Sequence, residues 1–430
     1  MTSSPASVLV AQAAQQLNGG DLVGAWNSYM AAVQAEPGHH QAWLGLGMTA
    51  MLQRQWPVLE QLADRRQALA GDGFAYFHDV MTVMMTYGLH PLVLELGRYL
   101  PVSSPYAVSQ LYQAGCIRLL AGDEDGAFGD FVRLKQLLAV AGPSLPIGAQ
   151  DRFNVAYRQA TLIEDGDYPD GLDQSRLAAV ADELPPMREI GSAGGEGGDF
   201  VVLAACDGRY LDRFGADFLA ALDRLETGLA VHLHVVEASP ATLAQWTERA
   251  GRSRQALTLS HEGENRFRSG AYYASARFLV AAEIMARHGG KPLLICDVDI
   301  AFLRRPSELA QLAAPFAFAS FVHDGAGPCS RLPAVVTWFS GVDGRAMLGA
   351  LRQTILSKLE VQWPHNWMLD QAALMTARRW LRRRHRQAAI GDLGQAGGQP
   401  FTHYLRCLGD EDEKAALIRA AGENQAPAKR

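Results

Sequence analysis

From residue 6 to about residue 185, apolar residues recur at intervals of three and four, and Gly-Asp, Pro-Gly and Gly-Pro steps break the run. That period places apolar side chains on one face of an α-helix and the breaks end it, so the spacing predicts short helices in series. A longer period lies beneath it. Gly20, Asp21, Ala25, Tyr29 and Ala32 recur 102 positions later as Gly122, Asp123, Ala127, Phe131 and Leu134, three times 34 residues. Between these copies, Trp43, Phe77 and Leu111 keep the spacing of 34, as do Gly47, Met81 and Gly115. Small residues allow two helices to approach closely, and an aromatic ring fills the gap they leave. Four copies are expected to begin near residues 6, 40, 74 and 108, followed by an offset helical pair over 150–184 after a Pro-containing insert at 142–148.

Ala25, Tyr29, Ala32 and Pro37, with Trp43, Leu46 and Gly47 opening the next copy, resemble the tetratricopeptide repeat. The resemblance implies an all-α solenoid of helical hairpins over residues 6–188 that binds or spaces a partner, with a generic helical bundle as the alternative. No catalytic constellation is visible in this half.

The segment 190–199 reads IGSAGGEGGD, and its five glycines predict a flexible linker over 189–199. Beyond it the pattern changes. Continuous apolar runs at 200–206, 229–236, 257–259 and 292–296 alternate with helical segments ending near 225, 251 and 288, and further strands are expected within 315–323 and 334–342. Apolar strands separated by helices predict an α/β domain over 200–421, with a mostly parallel sheet covered on both faces. Functional sites on such sheets lie at the carboxyl ends of the strands. The tail 422–430 is polar, Ala-rich and interrupted by Pro, and is expected to fray.

With 430 residues and 48% hydrophobic content, the chain can build two or three cores. A net charge of -6 and a pI near 6.1 give no general reason to expect a nucleic-acid partner. The five cysteines form no C-x-x-C pair, which favours buried free thiols in a reducing compartment. The N-terminus lacks a basic stretch before its apolar residues, and no run reaches the ~18–20 apolar residues of a membrane span. These features lead to the expectation of a cytoplasmic protein without a transmembrane segment. The basic run 378–386 departs from the acidic average. An intramolecular or acceptor-facing role is preferred for it, while peripheral contact with an anionic membrane stays open.

The candidate chemistry centres on Asp297-Val298-Asp299, directly after the apolar run 292–296. Two carboxylates one residue apart at a strand end can converge on a hard divalent cation that also takes diphosphate oxygens. Alone, the tripeptide equally fits a solvated loop or a helix cap. Its context is the helix beginning Tyr272-Tyr273-Ala274-Ser275-Ala276-Arg277-Phe278-Leu279, and the stretch 204–222, AACDGRYLDRFGADFLAAL. The order of these three segments resembles the GT-A glycosyltransferases, with their Rossmann-like sheet, and in particular the retaining, family-eight-like members.

The resemblance implies that Asp207 and Tyr210 contact the nucleobase and ribose, and that Arg277 contacts the donor sugar or diphosphate. Asp297 would meet ribose or metal, and Asp299 would be a metal ligand, the ion being Mn2+ or Mg2+. Trp367 and Asp370-Gln371 are similar to a W-x-x-D-Q element that brings Asp370 and Gln371 to the donor sugar in a catalytic or orienting role. Phe401-Thr402-His403-Tyr404 resembles a terminal motif in which His403 would complete the metal site. The following Leu405-Arg406-Cys407 replaces that family's His-x-x-Gly and Lys-Pro-Trp continuation, which removes expected diphosphate contacts. From the residues alone, Asp207 as a helix cap, Tyr210 as a core aromatic, Arg277 in a surface ion pair and Asp370 on an ordinary amphipathic helix remain alternatives.

The expected function is metal-dependent transfer of a sugar from a nucleoside diphosphate donor, a UDP-sugar favoured, with a protein held by the repeat half as candidate acceptor. The alternative is a non-catalytic repeat scaffold carrying a degenerate transferase-like domain. A nucleotidyltransferase is disfavoured, because Cys206-Asp207-Gly208-Arg209 occupies the place of a Gly-rich basic phosphate loop. Retention or inversion at the anomeric carbon stays open.

Overall fold

In a computed structural model of the chain, the first helices of successive pairs start at Pro5, His40, Gly73 and Ala107, each within one residue of the position the 34-residue spacing predicts. The second helices are Leu22–Ala35, Trp56–Ala70, His90–Leu96 and Glu124–Ala141, and Arg152–Ala160 follows. The structure describes residues 4–141, 152–165, 167–193, 197–323, 327–359 and 368–406. The chain divides into two units, Met1–Thr161 and Leu162–Arg430.

The 102-residue repeat of the first unit is reproduced in atomic detail. Gly20 and Gly122 both take left-handed φ, 82° and 77°, to turn the chain between helices. The next residue, Asp21 or Asp123, accepts the backbone N–H of Gly24 at 2.8 Å or Gly126 at 2.9 Å, satisfying a donor that the helix start leaves open. Ala25 and Ala127 are fully buried. The aromatics Tyr29 and Phe131 both fill glycine notches, but on different sides: Tyr29 meets Gly45 on the helix that follows it and Phe131 meets Gly115 on the helix that precedes it. In the copies between, the Trp43 indole donates to Pro37 O at 2.8 Å and the Tyr76 hydroxyl donates to Trp43 O at 3.1 Å.

Residues 162–184, expected as an offset pair closing the helical half, belong to the second unit. The Glu164 N–H donates to Thr376 Oγ1 at 3.1 Å, Tyr168 bonds Ser357 at 2.9 Å, and Lys358 pairs with the Glu164 carboxylate. Arg383 and Arg384 pair with Asp165, Asp167 and Asp170, and the Trp380 indole donates to Asp170 at 3.1 Å. The basic run therefore serves the intramolecular role preferred for it. It pins this acidic segment, and its cations sit at a helix C-terminus where the backbone dipole favours them.

The Gly-rich segment is likewise not all linker. Arg188–Ala193 (β1) pairs antiparallel with Ala256–Glu262 (β4), with a register shift beside Gly191. Glycines that suggest a linker by composition are also what a bulged edge strand tolerates. The expected tail 422–430 lies outside the described residues.

The eight-stranded sheet of the second unit has the order β1-β4-β3-β2-β5-β8-β7-β9. Its remaining strands are Val201–Asp207 (β2), Ala230–Val236 (β3), Leu293–Cys296 (β5), Phe318–Ser320 (β7), Val336–Phe339 (β8) and Ile390–Asp392 (β9). β4, β3, β2 and β5 run parallel, β8 is antiparallel to both β5 and β7, and β9 is parallel to β7. The sheet is therefore mostly parallel but mixed, with β8 reversed inside it. A separate pair joins Ala301–Phe302 (β6) to Leu405–Arg406 (β10).

Alternation along the strands divides the sheet faces. Val202, Ala204, Val231, Leu233, Val235, Leu257 and Leu259 pack with Phe214, Phe218, Leu222 and Trp246 in one apolar core, each large side chain contributing roughly 1.5–3 kcal/mol by leaving water. The opposite face of β3 and β4 carries His232, His234, Ser260 and Glu262, all buried. They form a polar seam. His288 Nε2 meets His232 Nδ1 at 3.1 Å, and Ser260 Oγ lies 2.8 Å from His232 and 3.0 Å from His234. His234 Nε2 comes within 3.4 Å of Glu262, which accepts the Tyr272 hydroxyl. Burial, with His234 and His288 adding to it, holds the His232 imidazole well below its usual pKa, so it is neutral. Among the described residues no helix is long and apolar enough to cross a membrane.

Candidate functional site

The carboxyl ends of β2 and β5 open into a cleft of about 550 Å³. Its walls draw on segments far apart in sequence: Asp207 and Tyr210 after β2, Tyr273 and Arg277 on the helix Gly270–Arg287, Asp297 and Asp299 after β5, and Met368, Asp370 and Gln371 at the start of the helix Leu369–Arg384. Seven of the eight residues singled out from the sequence thus meet in one place.

Arg277 is the hub. Its side chain is buried, and it pairs with the carboxylate of Asp297 and with Asp370 Oδ2 at 3.0 Å, while donating to Ala334 O at 3.2 Å. A surface ion pair, one alternative reading of this residue, does not describe it. The Nε, itself shielded from solvent, has no hydrogen-bond partner among the described residues. One guanidinium thus serves two carboxylates. Burial pushes the Asp370 carboxyl above the usual carboxylate range, while Arg277 and the Gln371 N–H, which donates to Asp370 Oδ1 at 2.9 Å, pull it back.

Asp207 accepts the Tyr210 N–H at 2.7 Å, so it is the helix cap that was its simpler reading, and it lines the cleft as well. Tyr210 packs against Phe214 with the rings tilted by 49°, with Arg209 over its ring, and also lines the cleft. Core aromatic and cleft wall are one residue here. Cys206, which also lines the cleft, and Cys296 are buried free thiols, both pushed up chiefly by burial and by the neighbouring aspartates.

His403 is placed differently. It lies on the short helix Phe401–Tyr404, its ring against that of Tyr404, and it is not among the residues lining the cleft. The following β10 pairs with β6, which lays this segment beside the strand after Asp299. Among the described residues, no group of three or more His, Cys, Asp or Glu side chains is arranged to hold a metal ion. Trp367 lies outside the described residues.

Two features at or beside the cleft escaped sequence reasoning. Met368 sits at φ 85°, a strained value for a side chain with a Cβ, and its sulfur accepts the Gln371 amide at 2.9 Å. Glu237, just past β3, is held at φ 55°. Tyr273, four residues before Arg277 in the helix segment singled out from the sequence, lines the cleft itself and donates its hydroxyl to Glu237 at 3.2 Å.

No protein-family model matches the chain, and no curated protein sequence matches it. Among solved structures, the apo-form glycosyltransferase GlyE of Streptococcus pneumoniae is 15% identical, with 46% of this chain and 46% of that chain covered and a TM-score of 0.32. A mutant O-GlcNAc transferase of Thermobaculum terrenum is 11% identical over 99% of this chain and 100% of that one, with a TM-score of 0.18. The chain thus covers under half the length of the first of these glycosyltransferases. Likeness this slight carries no argument about chemistry, which rests on the side chains at the strand ends.

Proposed function

We propose that the second unit transfers a sugar from a nucleoside diphosphate sugar, a UDP-sugar favoured, to an acceptor, with a protein bound by the helical unit as the candidate. What supports this reading is the convergence of Asp207, Arg277, Asp297, Asp299, Asp370 and Gln371 from four separate segments on one cleft at the strand ends.

The donor set fits a hard divalent cation, Mn2+ or Mg2+. Asp299 and Asp297 would hold it, and two carboxylates leave the other coordination positions to phosphate oxygens and water, as such ions require. When bound, the ion supplies neutralisation of the charge that gathers on the departing nucleoside diphosphate. His403 has no part in this arrangement.

The chain's own residues do the rest. Arg277 offsets the acidic wall on the side where the anionic donor would lie. Asp370, fixed by Arg277 and by the Gln371 N–H, presents acceptor oxygens that orient sugar hydroxyls, and the Gln371 amide supplies a donor beside them. The purified chain should hydrolyse a nucleotide sugar slowly in the presence of Mn2+, and Asp299→Ala should lower that rate by about a thousandfold. A wild-type chain that turns over none of a panel of UDP- and GDP-sugars would overturn the proposal.

A further inference from the structure

Tyr273 stands one turn before Arg277 on the helix Gly270–Arg287, and both line the cleft, with the small residues Gly270 and Ala274 between and beside them. Residues four apart share a helix face, separated by about 6 Å along the axis. The wall therefore has two ends. At one, Arg277 engages Asp297 and Asp370; at the other, Tyr273 bonds Glu237, which follows β3, the strand paired with β2 so that Val236 lies opposite Asp207.

The hydrogen-bond direction at Tyr273 is fixed. A carboxylate only accepts, so the single phenol proton is committed to Glu237 Oε2 at 3.2 Å. Glu237 is held in turn by Arg268, whose Nε donates to Oε1 at 2.9 Å. Burial, and then Glu237, raise the phenol's pKa, so the proton stays in place. What Tyr273 can still offer a ligand is an oxygen lone pair.

We infer that Tyr273 is a specificity-determining residue whose phenol oxygen accepts a hydrogen bond from the nucleoside of the donor, with the diphosphate lying toward Arg277 and Asp299. The group it selects is a donor, either a base N–H or a ribose O–H, and a nucleoside presenting only acceptors there is rejected. Glu237 is the positioning residue that sets this polarity. The inference rests on the donor cleft proposed above.

Calorimetric titration of the full chain in Mn2+ with UDP, 2′-deoxy-UDP, N3-methyl-UDP and inorganic pyrophosphate tests it. Tyr273→Phe should weaken UDP about tenfold while leaving pyrophosphate unchanged. The analogue that binds wild type more weakly than UDP, yet loses that deficit in Tyr273→Phe, names the group being read, ribose or base. Glu237→Gln, whose amide can donate to the phenol and free its proton, should narrow the discrimination between UDP and that analogue rather than weaken all ligands alike. UDP binding equally tight in wild type and Tyr273→Phe, or a deficit of both analogues that persists in Tyr273→Phe, would overturn the inference and leave the donor cleft standing. Absence of binding by wild type to UDP and to pyrophosphate alike would remove the cleft reading itself, and the inference with it.

Discussion

The two units differ in how they join buried charge. In the helical unit a local device recurs, Asp21 and Asp123 each satisfying an N–H three residues on, beside longer-range bonds between neutral groups such as those of His78 to Ser109 and Tyr157. In the α/β unit the buried charges themselves are joined over long range. Arg277 joins Asp297, twenty residues away, to Asp370, ninety-three away, and the seam on β3 and β4 links His288 through His232, Ser260 and His234 to Glu262. Local contacts are cheap in chain entropy and can be repeated, and they make a scaffold. Long-range buried charge is costly to assemble and leaves groups incompletely paired, which is where ligand chemistry becomes available.

The comparison breaks first at Arg277. Arg277→Met should destabilise the second unit by about 3–5 kcal/mol, because the buried Asp370 carboxylate loses its cation and the part-exposed Asp297 loses a partner. Combining it with Asp370→Asn should return part of that loss. Chemical denaturation of the two variants measures both, and a loss under 1 kcal/mol for the single variant would mean the triad is not a structural hub.

The polar seam gives a smaller, pH-dependent effect. His232 has a lowered pKa in the folded state, so the unfolded chain binds the extra proton first as pH falls. Its contribution is intact above the unfolded value of about 6.5 and declines below it, with a slope of at most ~1.4 kcal/mol per pH unit. His288 and His261 are shifted the same way, chiefly by burial, and act in the same direction. Unfolding midpoints of the second unit should therefore fall between pH 7 and 5.5, and His232→Asn should flatten that slope. An unchanged slope in the variant would place the sensitivity elsewhere.

The local devices give the smallest change. Asp21→Ala should cost about 1 kcal/mol, and Asp123→Ala at least as much, since Asp123 also accepts from Arg118 at 3.0 Å. Hydrogen exchange at Gly24 and Gly126 reads each cap separately, and a smaller cost at Asp123 than at Asp21 would contradict this.

The same contrast explains what could be read without a structure. The helix starts and the strands β2, β3, β5 and β8 follow from hydrophobic period, a local property, and so did the repeat carried by Gly20, Asp21 and Ala25. The cleft residues Asp207, Arg277, Asp299 and Asp370 were legible through a motif resemblance and the rule that sites lie at strand ends. Antiparallel β8, the edge strand Arg188–Ala193 and the membership of residues 162–184 depend on partners far along the chain, which periodicity does not report. Tyr273 was legible only as part of its helix motif, and its tie to Glu237 was missed for the same reason. Their bond spans thirty-six residues, and Glu237 owes its position to a backbone angle that no composition signals.

The most direct test of the account is calorimetric titration of UDP into the full chain with and without Mn2+, for wild type and Asp299→Ala. The account predicts binding by wild type that strengthens by at least tenfold when Mn2+ is present, and no such strengthening in Asp299→Ala. UDP affinity that is the same with and without the ion, or a metal dependence that survives loss of the Asp299 carboxylate, would contradict it.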